Sequence, residues 1–214
     1  GLRSTALGSY ASAIGGISTA IGTNTAATGR ASSALGWCAN AVGNFATAVG
    51  SCARSPGDFA TSLGSAANAS GHYSIAIGDD ANASGTFSYA IGQNTHASGN
   101  YSSAMGYGAN SYGIGSITVG VNSTAQNFSV AVGQLAESTG EVSIAIGYQA
   151  KSNGEDSASL GRNANAAGNY SVAIGKNSTA AGNNSLATGF GSNASNTFSL
   201  AVGYSAKSSG SAAA

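Results

Sequence analysis

Ala164-Asn165-Ala166-Ala167-Gly168-Asn169-Tyr170-Ser171-Val172-Ala173-Ile174-Gly175 contains the repeating unit of this chain. Two glycines seven residues apart close two unlike half-units. One half reads Ser-x-Ala-aliphatic-Gly, with further copies at 74–78 and 143–147. The other reads Ala-x-Ala/Ser-x-Gly, with copies at 67–71, 81–85 and 136–140. The period is therefore fourteen residues. From Gly8 to Gly120 every seventh residue is glycine, seventeen times running. The grid then loses one residue, resumes at Gly133 and runs to Gly210, with Asn196 in the vacant slot. Such a grid marks one short supersecondary unit stacked many times.

Each half offers about four extended residues and a tight turn, too short for an ordinary helix. A helix also fails on composition, because 33 glycines in 214 residues would each cost about 1 kcal/mol in a helix interior. Alternation with period 2 places Ser74 and Ala76 on one face and Ile75 and Ile77 on the other. The expected fold is all-β, a parallel β-roll or solenoid of about fifteen fourteen-residue coils. At about 4.8 Å per coil that is a rod on the order of 70 Å long. Glycine at each grid point is expected to supply backbone freedom for a sharp corner. Alanine and serine fill the narrow inside.

Stacking turns positions into columns. An aromatic or apolar column stands two residues after the second-half glycine and includes Phe45, Phe59, Tyr73, Phe87, Tyr101, Phe128, Tyr170 and Phe198. An aliphatic column precedes the other glycine and includes Ile77, Ile91, Ile146 and Ile174. Together they exceed what one thin roll can hide, and continuous apolar stripes mark an interface. These columns are expected to form the core or the contact between several copies of the chain.

Seven basic and seven acidic residues leave no net charge. The basic footprint of a nucleic-acid binder is missing, as is that of an anionic-membrane binder. No apolar run is long enough to span a bilayer as a helix. The unbroken grid reads as a single domain over residues 1–214, cut from a larger protein because both ends fall in mid-pattern. No catalytic constellation, metal site or cofactor motif emerges. His72 and His96 occupy different columns and read as surface residues. Asp79-Asp80 follows Gly78 in a turn that favours Asp for local backbone bonding. Glu141, Glu155 and Asp156 form an acidic spot one coil deep. Hexapeptide-repeat acyltransferases share a solenoid but not this period. Ice binding needs a regular threonine array, and here the threonines are read as scattered over columns. A spacer that projects another domain remains as an alternative.

Cys38 and Cys52 lie fourteen residues apart, each two residues after a first-half glycine. Stacked on neighbouring coils, their Cα atoms fall about 4.8 Å apart, within disulfide range. Either a staple formed in an oxidising compartment or two free thiols in a turn column fits that placement.

The repeat closely resembles the heads of YadA-type trimeric autotransporter adhesins, whose hallmark reads Asn-Ser-Val-Ala-Ile-Gly-x-x-Ser. The matching stretches are Asn169-Tyr170-Ser171-Val172-Ala173-Ile174-Gly175 with Ser178, and Asn127-Phe128-Ser129-Val130-Ala131-Val132-Gly133. An aromatic stands between the Asn and the Ser, so the hallmark is not reproduced letter for letter. The resemblance implies a left-handed parallel β-roll, packed as a homotrimer and projecting from the outer membrane of a Gram-negative bacterium. It implies attachment to a host extracellular-matrix protein, a cell-surface receptor or another bacterium, and no enzymatic activity. By the same resemblance Asn127, Ser129, Val130, Asn169, Tyr170, Ser171, Val172 and Ser178 are the candidate ligand-binding residues. Pro56 is expected to cause a local irregularity. The short coil 121–133 is expected to tighten one corner without breaking the stack.

Overall fold

The computed structural model describes residues 1–210, which fall in two compact units: Gly1–Gly108 and a second that begins at Ala109. Both units are built from the same coil. Each coil contributes one three-residue strand, such as Ile75–Ile77 in the first unit or Val172–Ile174 in the second. It also contributes one two-residue strand, such as Asn82–Ala83 or Thr179–Ala180. Every strand pairs in parallel with its equivalent one coil on. In the first unit Ile75 faces Tyr89, Ala76 faces Ala90 and Ile77 faces Ile91. In the second, Val172 faces Leu186, Ala173 faces Ala187 and Ile174 faces Thr188. The result is a parallel β-solenoid of about fifteen turns.

Among the described residues the buried side chains are those of alanine, serine and threonine, with buried glycines at one corner of the coil. Ala76, Ala90, Ala145 and Ala173 are fully buried, as are Ser74, Ser143 and Thr95. Two strands this close leave room for one methyl or hydroxyl from each side. Serine also serves the backbone. Ser18, Ser32, Ser74, Ser143 and Ser157 each donate Oγ–H to the corner carbonyl three residues earlier, at 2.6–2.7 Å. At Gly29 and Gly71 the same carbonyl also accepts the serine's own backbone N–H at 3.3 Å, so the shorter hydroxyl bond reinforces a longer one.

The two glycines of a coil serve different ends, which refines the expectation that both supply freedom at a corner. Gly78, after the long strand, has φ +134°, a region closed to side chains. Gly154, after a short strand, does not have positive φ. A Cβ there would collide with the carbonyl of Gly168 one coil on. The left-handed residue is glycine at only three of the described corners, Gly108, Gly115 and Gly191, with φ of 62–65°. Elsewhere, two residues after each glycine the chain takes φ of 50–62°, at Phe59, Tyr73, Phe87, Cys38, Cys52 and Asn177 among others. Non-glycine residues pay about 1–2 kcal/mol for that conformation. The coil-to-coil bonds hold them there: Tyr73 N–H donates to Asp58 O at 2.9 Å and Phe87 N–H to His72 O at 2.9 Å.

The two anticipated irregularities are mild. Pro56 stands where Thr28 donates to Ala41 O. Having no N–H, it forfeits that one bond, and the strand Arg54–Ser55 keeps a single register pair with the following coil, Asn68 with Arg54, against two with the preceding one. In the short coil Gln126 takes the glycine slot and Ser129 Oγ donates to its carbonyl at 2.7 Å. Register survives on both sides, Ile117 with Val130 and Val130 with Ile144.

Two substitutions test this architecture. Ala173→Leu forces three extra carbons into a filled interior and should cost at least about 1–3 kcal/mol, read as a fall in the thermal midpoint. Ala66→Gly acts at an exposed residue with φ 53°. It should stabilise by about 1 kcal/mol, the left-handed penalty less the added chain entropy of glycine.

Candidate interaction surface

A coil with only alanine, serine and threonine inside must carry every large side chain outside. Ile91, Ile146 and Ile174 are about two-fifths exposed, and Tyr101, Tyr170 and Phe198 more than half. The aliphatic and aromatic columns are therefore not the interior of the chain's own roll. They are its surface.

Four outer surfaces follow from the coil. The long-strand face is apolar. In the first unit it carries Ile75, Ile77, Tyr89 and Ile91, and in the second Ile144, Ile146, Val172 and Ile174. Its N-terminal part carries a column of hydroxyls, because Thr5, Thr19, Ser33, Thr47 and Thr61 are register partners in turn. These threonines do not scatter as expected from the sequence, though the ladder is one residue wide. The short-strand face is polar. In the second unit a shallow groove of about 690 Å³ runs along it, lined by Asn122, Thr124, Glu137, Lys151, Asn163 and Thr179 among others. Lys151 Nζ pairs there with Glu137 Oε2 at 3.0 Å.

The remaining two surfaces are the corners. In the first unit the corner before the long strand carries a continuous aromatic stack. Phe45, Phe59, Tyr73, Phe87 and Tyr101 follow one another at centroid spacings of 4.8–5.5 Å with planes within 7° of parallel. The coil repeat sets this spacing, and Arg30 closes one end, 5.8 Å from the Phe45 centroid. In the second unit a shorter stack sits at the opposite corner, where Lys176 lies over Phe190 and Phe190 stacks on Tyr204 at 5.3 Å.

The candidate ligand contacts divide sharply. Ser129, Ser171 and Ser178 are 0% exposed, pointing into the roll, and cannot meet a partner. Asn127 and Asn169 hold neighbouring coils together. Their Oδ1 atoms each accept a backbone N–H from the coil before, from Ile114 and Glu155, both at 3.1 Å. Asn44, Asp58, Asn100 and Asn183 do the same. This clamp escaped the sequence reading, although the recurrence of Asn or Asp one residue after the glycine was its visible trace. Val130, Val172 and Tyr170 face outward.

Cys38 and Cys52 stand side by side on neighbouring coils as free thiols. A hydrogen bond to Cys52, then burial and the Cys52 charge, push the Cys38 thiol up, against the lowering effect of Arg54. His72 lies at a corner, 3.9 Å from Asp58, and His96 on the short-strand face beside Asn82. Among the described residues no three His, Cys, Asp or Glu side chains gather as a metal site. Among the described residues no helix is long and apolar enough to cross a membrane.

Tyr73→Asn isolates the aromatic stack, since asparagine accepts the left-handed corner. Losing two ring contacts at about 0.5–1.5 kcal/mol each should lower stability by about 1–2 kcal/mol and weaken the near-ultraviolet circular dichroism.

The family model of the YadA head domain repeat matches this sequence in eleven segments, among them residues 1–25, 27–51, 55–81, 83–109, 127–150, 152–178 and 180–206. No curated protein matches the chain. The crystal structure of the collagen-binding domain of Yersinia adhesin YadA is similar at 22% identity, covering 87% of this chain and 80% of that one with a TM-score of 0.33.

Proposed function

The chain belongs to the YadA head domain repeat family, and on that premise we propose that residues 1–214 act as one adhesin head on a bacterial surface. The adhesin-type function comes with the family. The proposal adds that the head is a homotrimer and that its outer columns engage an extended host matrix protein or receptor. The observation that carries it is the outward placement of every large apolar side chain. Ile146, Ile174 and Leu200 in the second unit are 40–60% exposed, a continuous apolar face that water alone would not favour. Packing copies face to face covers it. The polar short-strand face, and the corner side chains that a neighbouring copy leaves uncovered, then remain for the partner.

Binding by repeated columns is multivalent. Each coil offers a modest contact, and tethering many of them raises avidity without any one being decisive. In a panel of immobilised matrix proteins and receptor ectodomains, the head should retain one ligand. Single outward substitutions such as Tyr170→Ala or Lys151→Ala should weaken that binding without abolishing it. One substitution that eliminates all binding would indicate a discrete pocket and overturn the multivalent reading. A head that binds nothing and serves to space another domain is the competing outcome.

A bacterial surface is oxidising, and there Cys38 and Cys52 join as a cross-coil staple. Their removal of two hydrogens should appear in the intact mass of protein secreted to that compartment and vanish with reductant. Equal masses in both conditions contradict the staple.

A further inference from the structure

The two corners that flank a long strand carry residues seven apart in sequence, and at four levels their chemistry is complementary. In the second unit Glu155 and Asp156 precede the strand Ala158–Leu160 and Arg162 follows it. Ile114 and Val121 flank Ile117–Val119 in the same way. In the first unit His72 is matched by Asp79 and Asp80 across Ile75–Ile77, and Arg30 by Trp37 across Ser33–Leu35. All of these residues are exposed.

None of these pairs can close within one chain. Seven residues that include an extended strand span about 20 Å. Nor are the second-unit charges satisfied elsewhere: among the described residues the ion pairs are His72 with Asp58 and Lys151 with Glu137. Glu155, Asp156 and Arg162 make no side-chain hydrogen bond there either. Three first-unit residues have weaker local contacts: Arg30 over Phe45, His72 near Asp58, and Asp79 accepting from Gln93 at 3.3 Å.

We infer that the corner before each long strand meets the corner after the same strand of a neighbouring copy, at the same level, and that Glu155 and Asp156 bind Arg162 of that copy. The inference rests on the homotrimer reading and assigns its contacts. A ring of copies closes by rotation without rise, so one edge of each copy meets the other edge of the next at equal height. Two carboxylates facing one guanidinium permit a forked pair. A shift of one coil would set Asp58 against Asp79, like charge on like. The same shift would leave Arg162 a single carboxylate, Glu141, in place of two, so the edges favour the level register, while the apolar face between them, bearing Ala158 and Leu160 at this level, supplies the non-directional attraction.

The test is cross-linking of the full chain carrying Glu155→Cys and Arg162→Cys with Cys38→Ser and Cys52→Ser. Mild oxidation should yield covalent trimers on a non-reducing gel, and neither single cysteine alone should, since an edge does not meet its own kind. A trimer by solution mass that forms no interchain bond would overturn the edge pairing and leave the homotrimer standing. A monomer would overturn both. A second set guards against local disruption: Arg162→Glu should lower the thermal midpoint of the trimer, and adding Glu155→Arg and Asp156→Arg should restore it. An unchanged midpoint on Arg162→Glu would equally refute the pair.

Discussion

Everything in this chain follows from holding successive coils at hydrogen-bonding distance in parallel register. At that spacing a Cβ on Gly154 has no room beneath the Gly168 carbonyl, and the same holds at Gly71 against Gly85. The coil therefore keeps its length and its corner glycines almost throughout, with Gln126 and Asn196 the two larger residues in the grid from Gly8 to Gly210. Backbone bonds between coils, with serine hydroxyls covering the corner carbonyls, provide the directional cohesion. The interior adds little apolar area per coil because alanine is its largest hydrocarbon.

A small interior decides the surface. Residues that would form the core of a globular domain, such as Ile77, Ile146 and Leu200, lie outside and stack on their own kind one coil away. Each change in sequence is then displayed at one level of one column, as with the Phe45–Tyr101 stack or the Lys176–Phe190–Tyr204 column. A family of such heads can alter its partners by altering columns while keeping the coil. Here the polar short-strand face carries that variation, and the long-strand face with the corners that flank it supports assembly.

Much of this was legible in the residues. Alternation alone put Ser74 and Ala76 inside and Ile75 and Ile77 outside, and the solenoid places them so. That same alternation already argued against Ser129 and Ser171 as ligand contacts, since each precedes the outward Val130 or Val172 by one residue. The hallmark motif drew attention to them, but the pleat turns both inside, where Ser129 Oγ donates to the Gln126 carbonyl and Ser171 fills the interior. The left-handed corners were not legible. Local propensity speaks against φ near +58° at Phe45 and Phe59, and only the inter-coil bonds impose it. The clamp made by Asn127 and Asn169 was hidden for a similar reason, because its partner N–H groups lie a full coil away.

The central claim is that the outward apolar face is covered by two further copies of the same chain. Light scattering behind size exclusion measures this directly on the protein in solution. The expected result is about three times the chain mass of 20.4 kDa. A folded, stable species at the mass of one chain would contradict it, because the exposed columns would then need no partner of their own kind.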